Sequence, residues 1–150
     1  MEQSPDIVTL TELDWESREE ADAVLSEQYE YSYAVGTVGI WSVYPLFDSE
    51  ALDLGLGWNR ALRVIVEAPA GDTSVYLIHA ASLRPGTQSA RDEMLAELAA
   101  TVREDESPRI IALGDFNAAT TDPALRGLAS ELDRARPTDG LMGFTWPAKF

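Results

Sequence analysis

The sequence contains no cysteine and only one histidine, His79. The first absence excludes a disulfide framework, a thiol nucleophile and Cys-ligated zinc; the second excludes a zinc centre built from several imidazoles. Lysine is scarce as well: ten of the 11 basic residues are arginine, against 26 acidic residues, for a formal net charge of −15. A surface that acidic repels a polyphosphate backbone unless a basic groove or bound cations reverse the field, so nucleic acid is a disfavoured partner. The same acidity suits a protein that gathers divalent cations, and it serves equally as a solubilising surface. No run of about 18 apolar residues occurs, and the first residues are acidic rather than basic, so these residues are read as carrying neither a membrane span nor a signal peptide. The compartment stays open, because secreted proteins can also lack cysteine.

What is present is the composition of one ordinary globular domain over residues 1–150, with 45% hydrophobic and 25% charged residues and neither an internal repeat nor a low-complexity linker. Apolar runs of strand length cover Ile7–Leu13, Tyr31–Val35, Val38–Val43, Leu52–Leu56, Arg60–Ala68, Thr73–His79 and Ile110–Gly114. Tyr44-Pro45 ends the third of these, since proline cannot donate to a ladder. The turn Pro69–Asp72 makes Arg60–Ala68 and Thr73–His79 an antiparallel hairpin. A helix is predicted from Asp14 or Ser17 to Gln28, with Ser17 and Glu20 as a capping box and Ala21, Val24 and Leu25 on its inner face. A second runs from Gln88 to Arg103, with Ala90, Met94, Leu95, Leu98 and Val102 on one face and Arg91, Asp92, Glu93 and Glu97 elsewhere. A short third begins at Asp122-Pro123 and reaches about Ser130.

Three of the apolar runs end in residues suited to metal or phosphate chemistry: Glu12, His79, and the pair Asp115 and Asn117. A carboxylate and a carboxamide two residues apart at a strand end can face one site, the first polarising a water, the second donating to a phosphoryl oxygen; Gly114 permits close backbone approach. Asp-Phe-Asn after a strand is also a common turn, because both side chains hydrogen-bond their own backbone. Glu12 suits Mg²⁺, which prefers oxygen ligands, or is simply an exposed strand-end glutamate. His79 is either a core residue satisfied by a neighbour or a proton donor and phosphate contact.

Taken in order, Leu10-Thr-Glu12, Gly39-Ile-Trp-Ser42-Val-Tyr-Pro45, Ile78-His79-Ala-Ala-Ser82, Leu113-Gly-Asp115-Phe-Asn117 and Gly143-Phe-Thr-Trp146-Pro resemble the endonuclease/exonuclease/phosphatase superfamily. That group includes pancreatic deoxyribonuclease, abasic-site endonucleases, inositol polyphosphate phosphatases and neutral sphingomyelinases. The likeness implies an α/β fold, a four-layered sandwich of two mixed β-sheets flanked by helices, and hydrolysis of a phosphoester assisted by Mg²⁺, or by Mn²⁺ in its place. Glu12 and Asp115 are similar to the family's metal-side carboxylates. Asp115 and Asn117 resemble the pair that orients water and steadies charge on phosphorus, and His79 resembles the histidine that contacts phosphate or assists the leaving group. Ser42 and Trp146 match framework positions. Arg60, Arg63 and Arg84 form no basic cluster with interleaved aromatics, so a small or lipid-linked phosphoester is the expected substrate class. A nuclease, or a binding module on the same scaffold, is the alternative. The run Val38–Leu46 and the arginine-rich usage also resemble the bacterial membrane-anchored, teicoplanin-resistance-type branch.

Family members normally begin with a strand carrying an asparagine near the metal and end with one carrying an adjacent Asp and His; neither is found here. The chain is therefore expected to be an incomplete domain that hydrolyses phosphoesters poorly. Missing core strands would also expose sheet edges. The purified chain is accordingly expected to be marginally stable or to self-associate with rising concentration in sizing runs; a monomer that melts cooperatively at high temperature would contradict this.

Overall fold

The apolar runs fold into two sheets. The computed structural model describes residues 4–55, 57–82 and 88–135. The first sheet contains β1 (Ile7–Leu10), β2 (Tyr31–Val35) and β3 (Val38–Ser42) in the order β1-β3-β2; the second contains β4 (Leu46–Leu52), β5 (Ala61–Ala68), β6 (Gly71–His79) and β7 (Ile110–Asp115) in chain order. The second sheet is mixed, with β6 and β7 parallel. The first is antiparallel throughout the described residues.

Side-chain alternation along the strands creates the layers. Val38 and Ile40 of β3 meet Leu62, Val64 and Val66 of β5 and Val75 and Leu77 of β6 between the sheets. The intervening β6 residues, Tyr76 and Ile78, point the other way, onto Met94, Leu95, Leu98, Ala99 and Val102 of α2 (Gln88–Glu104) and Leu128 of α3 (Arg126–Glu131). On the far side Trp41 and Leu13 pack with Tyr29, and Ala21 and Leu25 of α1 (Trp15–Leu25) close over them. The result is α1, sheet, sheet, then α2 and α3. Among the described residues no helix is long and apolar enough to cross a membrane.

Several local expectations are corrected. Asp14, not Ser17, caps α1: its carboxylate accepts from the Ser17 backbone at 2.8 Å while the Ser17 hydroxyl takes the Asp14 N–H at 2.9 Å. Val24 is 71% exposed, so only Ala21 and Leu25 serve the inner face. The fourth strand is Leu46–Leu52 rather than Leu52–Leu56. It starts directly after Pro45 and carries a register shift between Phe47 and Glu50, and its Asp48-Ser-Glu50 centre is polar because the strand lies at a sheet edge. The segment after Asp122 starts as a 3-10 turn, Pro123–Leu125, with the Asp122 carboxylate accepting from Ala124, before α3 begins.

At the end of α2, a buried carboxylate fixes the helix to the sheet. Asp105 accepts from Ser74 Oγ at 2.7 Å, Tyr76 OH at 2.7 Å, Arg63 Nε at 3.2 Å and the Ser107 backbone at 2.8 Å. Burial alone would raise its pKa, but the hydrogen bonds from Ser107, Ser74 and Tyr76 outweigh that and hold the acid well below the usual carboxylate range. Burial, reinforced by Asp105, pushes the Tyr76 phenol up to about 12. Because the folded carboxylate titrates below its unfolded value, its contribution is complete above about pH 5 and is lost as pH falls. Asp105→Ala should lower unfolding free energy at pH 7 by about 3 kcal/mol, and the gap to wild type should narrow in acid. Urea titrations at both pH values check this; equal midpoints at pH 7 would contradict it.

Candidate metal centre

Parallel pairing sets the centre. His79 of β6 lies in register with Asp115 of β7, at the carboxyl ends of both strands, and the Ala80 N–H donates to the Asp115 carbonyl at 2.7 Å. Glu12 arrives from the other sheet, two residues past β1, in a left-handed conformation with φ +61°. Donor atoms of Glu12, His79 and Asp115 all lie within 4.8 Å of one another, with Glu12 exposed, His79 buried and Asp115 between. Glu12 Oε1 is 3.9 Å from His79 Nε2.

Neighbouring groups fix the imidazole. Thr37 Oγ1 lies 2.9 Å from His79 Nδ1. Thr37 itself is held by its backbone, donating to Asn59 at 3.3 Å and accepting from Leu13 at 3.1 Å. Arg60 donates from Nε to the His79 carbonyl at 2.8 Å and from Nη2 to the Ala80 carbonyl at 3.1 Å, while its own carbonyl accepts the His79 N–H at 2.8 Å. The Trp58 ring covers its guanidinium at 4.7 Å. Burial and then the Arg60 charge push the His79 pKa below its ordinary value, against Asp115 and Glu12 pulling it up. Burial likewise lowers Arg60, opposed by Asp115 and Glu12.

Asn117 is brought to the same rim, also left-handed at φ +46°. Its backbone N–H donates to Asp115 Oδ1 at 2.8 Å, which is the expected Asx turn. Its amide Nδ2 donates to the Ala80 carbonyl at 2.8 Å, so one of the two amide hydrogens is committed to the protein. The turn weighed from the sequence is thus present, and it joins Asn117 to the Asp115 carboxylate. Ser42 is buried, its hydroxyl accepting from Tyr44 N at 2.9 Å, a framework role. Trp146, its Gly143–Pro147 motif and Arg84 lie outside the described residues.

The donor set suits a hard divalent cation: two carboxylates from different sheets converge beside one imidazole, and oxygen is what Mg²⁺ and Mn²⁺ prefer. Thr37, Arg60 and Arg91 were not singled out as site residues from the sequence. Thr37 carried no signal beyond its place in a two-residue turn. Arg60 enters the sequence reading as the start of an apolar run and as one of three arginines that form no basic cluster. Arg91, placed off the apolar face by the sequence reading, falls on the 91, 94, 95, 98, 102 stripe of α2 and is 1% exposed.

The sequence profile described as the Endonuclease/Exonuclease/phosphatase family matches residues 2–150. No curated protein matches. Among solved structures, sphingomyelinase C from Streptomyces griseocarneus is similar with TM-score 0.71 at 17% identity over 86% of this chain and 57% of that one. A mutant beta toxin from Staphylococcus aureus with bound magnesium ions gives TM-score 0.70, 17% identity, and 86% and 58% coverage. D. rerio TDP2 complexed with single-strand DNA product gives 0.69, 19%, and 83% and 52%. The chain thus spans under two thirds of the length of each, and these likenesses establish the fold.

Gly114, immediately before Asp115, has φ +124°, and a Cβ built there would sit 2.1 Å from the Ile78 carbonyl oxygen. Gly114→Ala should therefore push β7 away from β6 and lower stability by at least about 2 kcal/mol. An unchanged urea midpoint would show that the two strands do not approach in this way.

Proposed function

The chain belongs to the endonuclease/exonuclease/phosphatase family, and on that premise we propose that its rim is a site for divalent-cation-dependent hydrolysis of a phosphoester. The observation that carries the reading is the convergence of Glu12, His79 and Asp115 donor atoms within 4.8 Å. Glu12 and Asp115 would hold Mg²⁺ or Mn²⁺. A cation bound there supplies neutralisation of phosphoryl charge. His79, whose pKa burial and the Arg60 charge push below its ordinary value, presents Nε2 toward the same space as a phosphate contact or as an aid to the leaving group. Asp115, whose Oδ1 accepts from the Asn117 backbone, would orient an attacking water. Asn117 keeps one amide hydrogen for a phosphoryl oxygen.

Charge guides the substrate class. A net −15 opposes a long polyanion, so a small or lipid-linked phosphoester is favoured over a nucleic-acid strand. The sphingomyelinase likeness supports a lipid-linked substrate, while the DNA product carried by the TDP2 structure is the strongest point for a nuclease.

Calorimetric titration of the purified chain with Mn²⁺ tests the site. Wild type should bind, and Glu12→Gln and Asp115→Asn should each weaken binding at least about tenfold. Inorganic phosphate should then bind only when Mn²⁺ is present. Absence of cation binding in the wild type, or affinity indifferent to both substitutions, would defeat the proposal.

A further inference from the structure

The Asp115–Asn117 turn is held from outside by a guanidinium on another element. Arg91 of α2 is 1% exposed. Its Nη1 donates to the Asn117 carbonyl at 3.0 Å and to Asp122 Oδ2 at 2.8 Å, and its Nε donates to Asp92 Oδ1 at 2.8 Å, with Nη2 on the same oxygen. Asp122 is also the residue that caps the next turn, through its other oxygen. One side chain therefore ties α2 to the turn at Asn117 and to the start of the segment leading to α3.

Asn117 needs such a hold. A left-handed backbone at a non-glycine residue is disfavoured and persists where surrounding contacts dictate it. At Asn117 those contacts are the Nδ2 bond to Ala80, the N–H bond to Asp115 and the carbonyl bond from Arg91. Two of these are charge-assisted, the N–H bond to the Asp115 carboxylate and the carbonyl bond from the Arg91 guanidinium, and such bonds are about twice as strong as neutral ones; only the Arg91 bond comes from another element. Because the Asn117 N–H in turn engages Asp115 Oδ1, the carbonyl clamp is transmitted to the carboxylate at the rim.

We propose that Arg91 is a positioning residue: it fixes the left-handed Asn117 and through it the orientation of Asp115. The consequence for cation binding rests on the reading of the rim as a metal site; the consequence for the turn itself does not. Lysine at this position keeps the charge but offers one compact ammonium in place of a planar fork, and cannot serve the Asn117 carbonyl, Asp122 and Asp92 together.

The experiment compares the 150-residue chain with Arg91→Lys and with a core control, Leu98→Ala, in two readouts. Hydrogen exchange at the Asn117 amide reports the turn without metal, and calorimetric Mn²⁺ affinity reports the rim. Arg91→Lys should speed Asn117 exchange about tenfold relative to amides of β5 and weaken Mn²⁺ binding about tenfold, whereas Leu98→Ala should move neither readout beyond its effect on global stability. If Arg91→Lys does not fold, Asp122→Asn, which keeps a capping oxygen but removes the paired charge, should shift both readouts in the same direction. Exchange and affinity within twofold of wild type in the folded variant, or shifts matched by Leu98→Ala, overturn the inference. Wild-type protein that binds no Mn²⁺ removes the metal reading alone, and the exchange comparison still decides the role of Arg91.

Discussion

The centre depends on a single parallel ladder. Pairing β6 with β7 so that His79 stands beside Asp115 aligns two carboxyl-terminal strand ends, and in mixed α/β sheets such ends are where loops are free to build a pocket. Parallel neighbours need a crossover, and α2 supplies it by packing Met94, Leu95 and Leu98 onto Tyr76 and Ile78. A slip of one residue along this ladder would turn β6 inside out, sending Val75 and Leu77 toward the helix and Tyr76 and Ile78 into the gap between the sheets. The hydrophobic pattern of β6 thus fixes the register, and the register fixes the meeting of His79 and Asp115.

Polar groups occupy both ends of β6 with different degrees of completion. Near its start, Asp105 receives donors from Ser74, Tyr76, Arg63 and Ser107, a set that satisfies a buried carboxylate and anchors the helix that spans the crossover. Five residues further along the strand, roughly 16 Å at an extended rise, Glu12 and Asp115 converge beside His79, and the Glu12 side chain remains 75% exposed. The first arrangement is closed by protein donors and reads as structural. The second leaves carboxylate oxygens facing a common space, which is the condition for taking a cation from solvent.

Much of this is legible in the sequence. The turn Pro69–Asp72 between two apolar runs marks the hairpin of β5 and β6, the stripe of Met94, Leu95, Leu98 and Val102 marks α2, and Glu12, His79 and Asp115, each at the end of an apolar run, have donor atoms within 4.8 Å of one another. The polar edge strand β4 was displaced because its centre, Asp48-Ser-Glu50, carries no apolar alternation to detect. Val24 was placed inward from periodicity alone, although α1 covers only a small cluster and needs just Ala21 and Leu25. Thr37 escaped notice for a different reason: its importance comes from a contact across 42 residues with His79, and nothing local to a Gly-Thr turn announces it.

Left-handed residues sharpen the distinction between fold and site. Among the described residues, three that are not glycine have positive φ: Glu12, Asp48 and Asn117. Asp48 lies within the register shift of an edge strand, where a bulge explains the conformation and no further purpose is needed. Glu12 and Asn117 instead follow strand ends that meet at one rim, on separate sheets, and neither belongs to a bulge. Backbone strain alone therefore marks nothing. Strain at two distant points of the chain that share a destination is harder to attribute to local geometry, and in both cases it turns the chain out of its strand at the point where a side chain must reach the shared space. For Asn117 the holding contacts extend to a buried arginine one helix away, which is why the outer support of this rim reaches as far as α2.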